Sequence, residues 1–133
     1  MNGKKLLIVD DDQHLVIGLT ARLKANGYSV VSATDAISAI AVARKEAPDL
    51  IILDLGLPAG DGFVVLDRVR GLADLMQIPV IVLSARDPAE SKKRALDAGA
   101  IAFFQKPPDN HEFLVAIRRA LGETIALSTF LRT

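Results

Sequence analysis

The chain has 133 residues, half of them apolar, with sixteen basic and sixteen acidic side chains and no cysteine. That length suits one domain able to bury roughly two-thirds of its unfolded surface. Balanced charge gives no general attraction to nucleic acid or anionic membranes, and the missing cysteines exclude disulfides, thiolate metal sites and thiol nucleophiles. No apolar run nears the ~18 residues of a membrane-spanning helix, and the opening MNGKK leads into a strand rather than a signal peptide. A soluble cytoplasmic protein is the expectation.

The first apolar run, Leu6-Leu7-Ile8-Val9, stops at Asp10 and Asp11. Leu15, Leu19 and Leu23 then recur every four residues, a helical stripe capped by Asp11 or Asp12 and ended by Asn26-Gly27. Tyr28 to Ser32 reads as a short strand. Asp35 through Ala47, rich in alanine and carrying Ile37, Ile40 and Val42, reads as a helix that stops before Pro48. Leu50-Ile51-Ile52-Leu53 runs into Asp54, and Leu57 to Gly62 is a loop by its proline and glycine content. A helical pattern resumes over Phe63 to Leu72. After Pro79, Val80-Ile81-Val82-Leu83 ends at Ser84, and Asp87 caps a helix entered by Pro88 and ended by Gly99. Ile101-Ala102-Phe103-Phe104 precedes Lys106-Pro107-Pro108. Asp109 caps a last helix carrying Phe113, Leu114, Ile117 and Leu121.

Five strand–helix units follow. Continuous rather than alternating apolar runs indicate strands covered on both faces, and connections of helical length indicate parallel pairing. Open parallel sheets bind ligands beyond the carboxyl ends of their strands, which is where Asp10, Asp11, Asp54, Ser84 and Lys106 stand. Three carboxylates there repel one another unless a cation offsets them, and Mg²⁺ suits oxygen ligands of this kind.

These residues resemble the receiver domain of bacterial two-component response regulators. The motifs are LLIVDDD, IILDLGLPAGDGF, VIVLSAR and FFQKPP, in that order, and the similarity spans Lys4 to about Leu121. The resemblance implies a flavodoxin-like (βα)5 doubly wound α/β fold with parallel strand order 2-1-3-4-5. It implies a receiver domain over residues 1–121, with residues 122–133 a tail or truncated linker. A strand so near Met1 disfavours the C-terminal receiver of a hybrid kinase.

By the same resemblance Asp54 accepts a phosphoryl group from a histidine kinase or histidine phosphotransfer protein. Asp11 and Asp54 bind Mg²⁺ directly, with Mn²⁺ a substitute; Asp10 binds it through water, and the Gly56 backbone carbonyl completes the protein ligands. Lys106 and Ser84 hold phosphoryl oxygens, and the Lys106-Pro107 peptide is cis. Ser84 and Phe103 form a switch that reshapes the face of the fourth helix, fifth strand and fifth helix, controlling a target protein or output domain. Gly56 and Arg86 tune the lifetime of the acyl phosphate. The first helix is the docking surface for the donor, and a phosphorylation-dependent dimer belongs to the family's repertoire. Direct nucleic-acid binding and membrane association do not.

Other readings meet specific obstacles. A phosphohydrolase with an aspartyl nucleophile needs an acid two residues after it to protonate the leaving group, and Gly56 stands there. A constitutive binding module of receiver shape would not need the acid pair, acceptor, Ser84 and Lys106 all intact. A dinucleotide fold lacks its glycine motif after the first strand. His14 and His111 have no third ligand to make a zinc site and read as solvent-facing helix residues.

Overall fold

Among the described residues ten elements alternate: β1 (Lys5–Val9), α1 (Gln13–Ala25), β2 (Ser29–Ala33), α2 (Ala36–Glu46), β3 (Leu50–Leu53), α3 (Gly62–Gly71), β4 (Val80–Ser84), α4 (Pro88–Asp97), β5 (Ala102–Gln105) and α5 (Asn110–Ala120). The structure is a computed structural model and describes residues 3–58 and 62–123. All four strand pairings are parallel, in the order β2-β1-β3-β4-β5.

The continuous apolar runs have a simple geometric reason. Successive side chains on a strand point to opposite faces, and both faces are covered. Leu7, Val9, Ile51, Leu53, Val80 and Val82 pack with residues of α2, α3 and α4. Leu6, Ile8, Leu50, Ile52, Ile81 and Leu83 pack with Val16, Leu19 and Leu23 of α1 and Phe113 and Ile117 of α5. Each such side chain, fully buried, contributes about 1.5–3 kcal/mol, so β1, β3 and β4 form the rigid centre.

Four helices open on aspartate caps. Asp12, Asp35, Asp87 and Asp109 accept the backbone N–H groups of Leu15, Ser38, Ala89 and Glu112 at 3.2, 2.8, 3.0 and 3.0 Å. Each satisfies one of the donors that a helix start leaves open. At α1 the cap is Asp12, which leaves Asp11 for other work.

Several boundaries differ from the sequence reading. Strand β2 runs one residue later than Tyr28–Ser32, because Tyr28 belongs to the turn, where its N–H donates to the Leu23 carbonyl at 3.2 Å. Helix α3 starts at Gly62 and ends at Gly71; of the loop expected at Leu57–Gly62, residues 59–61 lie outside the described residues. Strand β5 begins at Ala102, and Ile101 is 51 % exposed. The expected double coverage also fails at the sheet's two edges, where Val30, Val31, Phe103 and Phe104 are only half-buried. An edge strand has a neighbour on one side only, so its side chains meet less of the core.

The end of α5 is tied to the turn between α1 and β2, on the same side of the sheet. Buried Tyr28 donates its hydroxyl to the Glu123 carboxylate at 2.5 Å, and Arg118 donates to the Asn26 side chain at 3.3 Å. Glu123 falls in the segment expected to follow the domain, yet it is bonded to the domain's body; residues 124–133 lie outside the described residues. Burial, then the hydrogen bond and charge of Glu123, push the Tyr28 phenol up to about 12, against the opposing influence of Arg118. A phenol with a raised folded-state pKa contributes stability that is present below its ordinary value and lost as pH rises through about 12. Tyr28 is the only tyrosine and there is no tryptophan, so tyrosinate absorbance reports this group alone. Glu123→Gln should lower its titration midpoint, though not to that of free tyrosine; an unchanged midpoint would show that the contact is not made in solution.

Candidate functional site

At the carboxyl edge of the sheet, the polar residues are held by the same ladder that makes the strands. The Asp10 N–H donates to the Ala33 carbonyl at 3.1 Å, the Asp54 N–H to the Val9 carbonyl at 2.9 Å, and the Lys106 N–H to the Ser84 carbonyl at 2.9 Å. Each residue is therefore positioned by the neighbouring strand rather than by a free loop. The strand order puts β1 beside β3, which makes Asp10 and Asp54 neighbours.

Both carboxylates are buried, 2 % and 8 % exposed, while Asp11 is open to solvent. Asp10 accepts the Asp12 N–H at 2.9 Å through Oδ1 and the Lys106 Nζ at 2.8 Å through Oδ2. Asp54 accepts the Gly56 N–H at 3.1 Å through Oδ1 and lies 3.4 Å from the same Nζ through Oδ2. One ammonium thus faces two carboxylates. Adding Asp11 gives three side chains that each offer an oxygen, all within 4.8 Å of one another.

Burial pushes the Asp10 carboxyl up, and the charge of Asp54 adds to this; the bonds from Lys106 and Asp12 work the other way without cancelling it. For Lys106, burial disfavours the charged form, but the bond to Asp10 and the charges of Asp54 and Asp10 outweigh it and hold the ammonium above its ordinary range. A hard cation fits here on chemical grounds: the oxygens converge, and the local negative charge exceeds what one lysine neutralises.

Around this centre the backbone is tight. The Gly62 N–H donates to the Leu55 carbonyl at 2.9 Å, and a Cβ on Gly62 would lie 2.3 Å from the Asp54 carbonyl oxygen and 2.6 Å from the Leu55 Cα. Only glycine lets α3 start this close to the Asp54 segment. At Gly56 there is room: a Cβ would stand 3.8 and 3.9 Å from the two Asp54 carboxylate oxygens, in ordinary contact.

Ser84 is buried at the end of β4, its Oγ accepting the Arg86 N–H at 3.2 Å. Phe103 pairs with Val82 and packs into the α2–α3–α4 side of the core. Residues two apart on a strand share a face, so Ser84 and Phe103 lie on the same face of adjacent strands. Phe104 turns to the other side, edge-on to Phe113 with centroids 5.3 Å apart. The Lys106-Pro107 peptide is cis. The Arg86 guanidinium reaches the Leu55 carbonyl at 3.4 Å and lies 5.8 Å from the Phe63 ring, beside the Asp54 segment. His14 is exposed as expected, His111 is half-buried rather than fully solvent-facing, and neither belongs to the acidic cluster.

Three features escape sequence reading: the closeness of Gly62 to the Asp54 backbone, the Phe63 ring beneath Arg94 at 3.7 Å, and the Tyr28–Glu123 bond. Only the first leaves a local sign, a glycine just before an apolar helical stretch.

The fold and this edge together define a signalling receiver, and comparison with known proteins agrees. The family model for the response regulator receiver domain matches residues 6–118, and the chain belongs to that family. It is 40 % identical over 121 residues to the transcriptional regulatory protein KdpE of Mycobacterium tuberculosis, covering 91 % of this chain and 52 % of KdpE. It is 37 % identical over 120 residues to the response regulator MprA of the same species, covering 90 % and 51 %. The chain therefore spans about half the length of the curated relatives it matches. Among solved structures, a response regulator from Chloroflexus aurantiacus superposes with a TM-score of 0.86 at 30 % identity, covering 92 % of this chain and all of that one. The receiver domain of the Pseudomonas aeruginosa sensor histidine kinase PA1611, which carries magnesium in its active-site cleft, superposes at 0.82 with 27 % identity, covering 91 % and 99 %. Among the described residues no helix is long and apolar enough to cross a membrane.

The raised Asp10 carboxyl has a sign that can be checked. Its protonated form is favoured by folding, so its stabilising contribution is present below the ordinary aspartate range and lost as pH rises through the raised value. In chelator, urea unfolding of the wild type should weaken relative to Asp10→Asn across that window and level off above it. A difference between the two proteins that grows in the wild type's favour with pH would contradict the assignment.

Proposed function

We propose that this receiver domain takes a phosphoryl group on Asp54 from a phosphohistidine of a sensor histidine kinase or phosphotransfer protein. The observation that carries this reading is the Lys106 ammonium set between buried Asp10 and Asp54 at 2.8 and 3.4 Å, with the Asp11 carboxylate completing the cluster. An Asp54 carboxylate oxygen attacks phosphorus, the P–N bond to the donor histidine breaks, and the imidazole keeps the electron pair and takes up a proton. Asp54 is left as an acyl phosphate, which water later cleaves. Turnover of an external substrate forms no part of this chemistry.

Asp11 and Asp54, with the Gly56 carbonyl and Asp10 through water, would hold Mg²⁺, and Mn²⁺ could replace it. The cation supplies charge neutralisation, which lets an anionic carboxylate approach an anionic phosphoryl group. Lys106 exchanges Asp10 for a phosphoryl oxygen, and the Ser84 hydroxyl donates to another. The close Gly62 contact fixes the backbone of the acceptor while this happens.

Drawing the Ser84 hydroxyl towards the phosphoryl group frees space on the sheet face it shares with Phe103. The ring turns into that space and alters the face formed by α4, β5 and α5, where a target, an output domain or a second copy meets the domain. Such a switch, moved from 1:99 to 99:1, takes about 5.5 kcal/mol of differential stabilisation. The space that a side chain at Gly56 would fill beside the Asp54 carboxylate gives water a path that shortens the lifetime of the acyl phosphate, and Arg86 beside Leu55 opposes this by screening the phosphoryl oxygens. The donor docks on α1, and residues 1–121 form the domain ahead of a tail or linker. The reading makes the protein a cytoplasmic bacterial one.

Intact-mass spectrometry after incubation with acetyl phosphate tests this. A single phosphoryl gain is expected with Mg²⁺, none with excess chelator, and none in Asp54→Asn. Lack of any gain in the wild type, with a phosphohistidine donor also failing and a beryllofluoride titration excluding rapid hydrolysis, would favour a constitutive binding module.

A further inference from the structure

Helix α4 is weakly anchored. Of its ten residues only Ser91 and Ala95 are buried, and both are too small to bury much apolar surface. By contrast α3 buries Phe63, Val65, Leu66 and Val69, and α1 buries Val16, Leu19 and Leu23. One long side chain makes up for this. The Arg94 guanidinium of α4 lies 3.7 Å from the centroid of the Phe63 ring, which is itself only 4 % exposed. A guanidinium over an aromatic face is attracted by the ring quadrupole and here also covers the ring from water.

Phe63 is in turn bound to the acceptor segment. It follows Gly62, whose N–H is bonded to the Leu55 carbonyl and whose Cα has no room for a side chain against Asp54 and Leu55. A displacement of Asp54 to Gly56 is passed to the first turn of α3 because there is no slack between them. From the other direction, α4 begins four residues after Ser84, through the loop that carries Arg86.

We propose that the Arg94–Phe63 stack is the contact through which the acceptor segment governs the position of α4, with Arg94 a positioning residue that acts through Phe63. This rests on the phosphoryl-acceptor reading above. It requires the charge of Arg94 and not merely its bulk, since an uncharged chain of similar length covers the ring without being held to it.

Amide chemical shifts of the whole chain, recorded before and after addition of Mg²⁺ and beryllofluoride, test the proposal in wild type, Arg94→Met and Arg94→Lys, after thermal melts establish that all three are folded. In the wild type, shifts are expected both around Asp54 to Gly56 and along Lys92 to Asp97. In Arg94→Met the first set remains and the second is lost, and Arg94→Lys restores the second in part. Shifts along α4 in Arg94→Met equal to those of the wild type would overturn the proposal. So would equal loss in both variants, which would mean that arginine serves by shape alone. A wild type that responds nowhere would overturn the acceptor reading itself, and this coupling with it.

Discussion

Asp10 and Asp54 end adjacent strands, both buried, and share the single ammonium of Lys106. Two buried carboxylates this close cannot both be charged without compensation; burial first, and the charge of Asp54 after it, hold the Asp10 carboxyl above its ordinary range in spite of Lys106. The sheet enforces the arrangement. Parallel pairing puts all the carboxyl ends on one edge, the order β2-β1-β3-β4-β5 puts β1 against β3, and backbone bonds continue past the formal strand ends to fix Asp10, Asp54 and Lys106. The surrounding residues answer that concentration of charge: Asp11 is left open because Asp12 takes the cap, Lys106 is drawn inward, and glycine stands at position 62, where a side chain would collide with the Asp54 backbone.

The charge unit is set on a rigid centre and opens towards softer parts. Strands β1, β3 and β4 contribute buried side chains to both faces of the sheet, so the Asp54 backbone is backed by the core. Strand β5 is an edge, half-covered, and α4 has only two small buried residues. Regions with few buried apolar contacts are those that move at low cost. Under the proposed function, a change of charge at Asp54 is felt most easily at α4 and β5, through Ser84, Phe103 and the Arg94–Phe63 stack.

Much of this was legible in the sequence because the central strands are unambiguous. A run such as Leu50-Ile51-Ile52-Leu53 followed by Asp54 admits few alternatives once helices lie on either side, and the four aspartate caps carry their own positional signal. Edges were harder. Ile101 extends an apolar run yet stays exposed, because an edge strand's register is set by β4 and not by its own hydrophobicity. The sequence could not divide Phe103 from Phe104 by face without the pairing register, nor choose between Asp11 and Asp12 as cap. Contacts between residues far apart in the chain left no trace: Tyr28 with Glu123, and Phe63 with Arg94, depend on where helices come to rest.

Under the proposed function, the three carboxylates and Lys106 act as one charge unit whose partners are exchanged when a phosphoryl group arrives. A crystal structure with Mg²⁺ and beryllofluoride decides whether they do. The adduct is expected on Asp54, with Lys106 Nζ released from Asp10 and bonded to a fluoride, and with Ser84 Oγ bonded to another. An adduct on Asp54 that leaves Lys106 on Asp10, or beryllofluoride bound anywhere else, would contradict this.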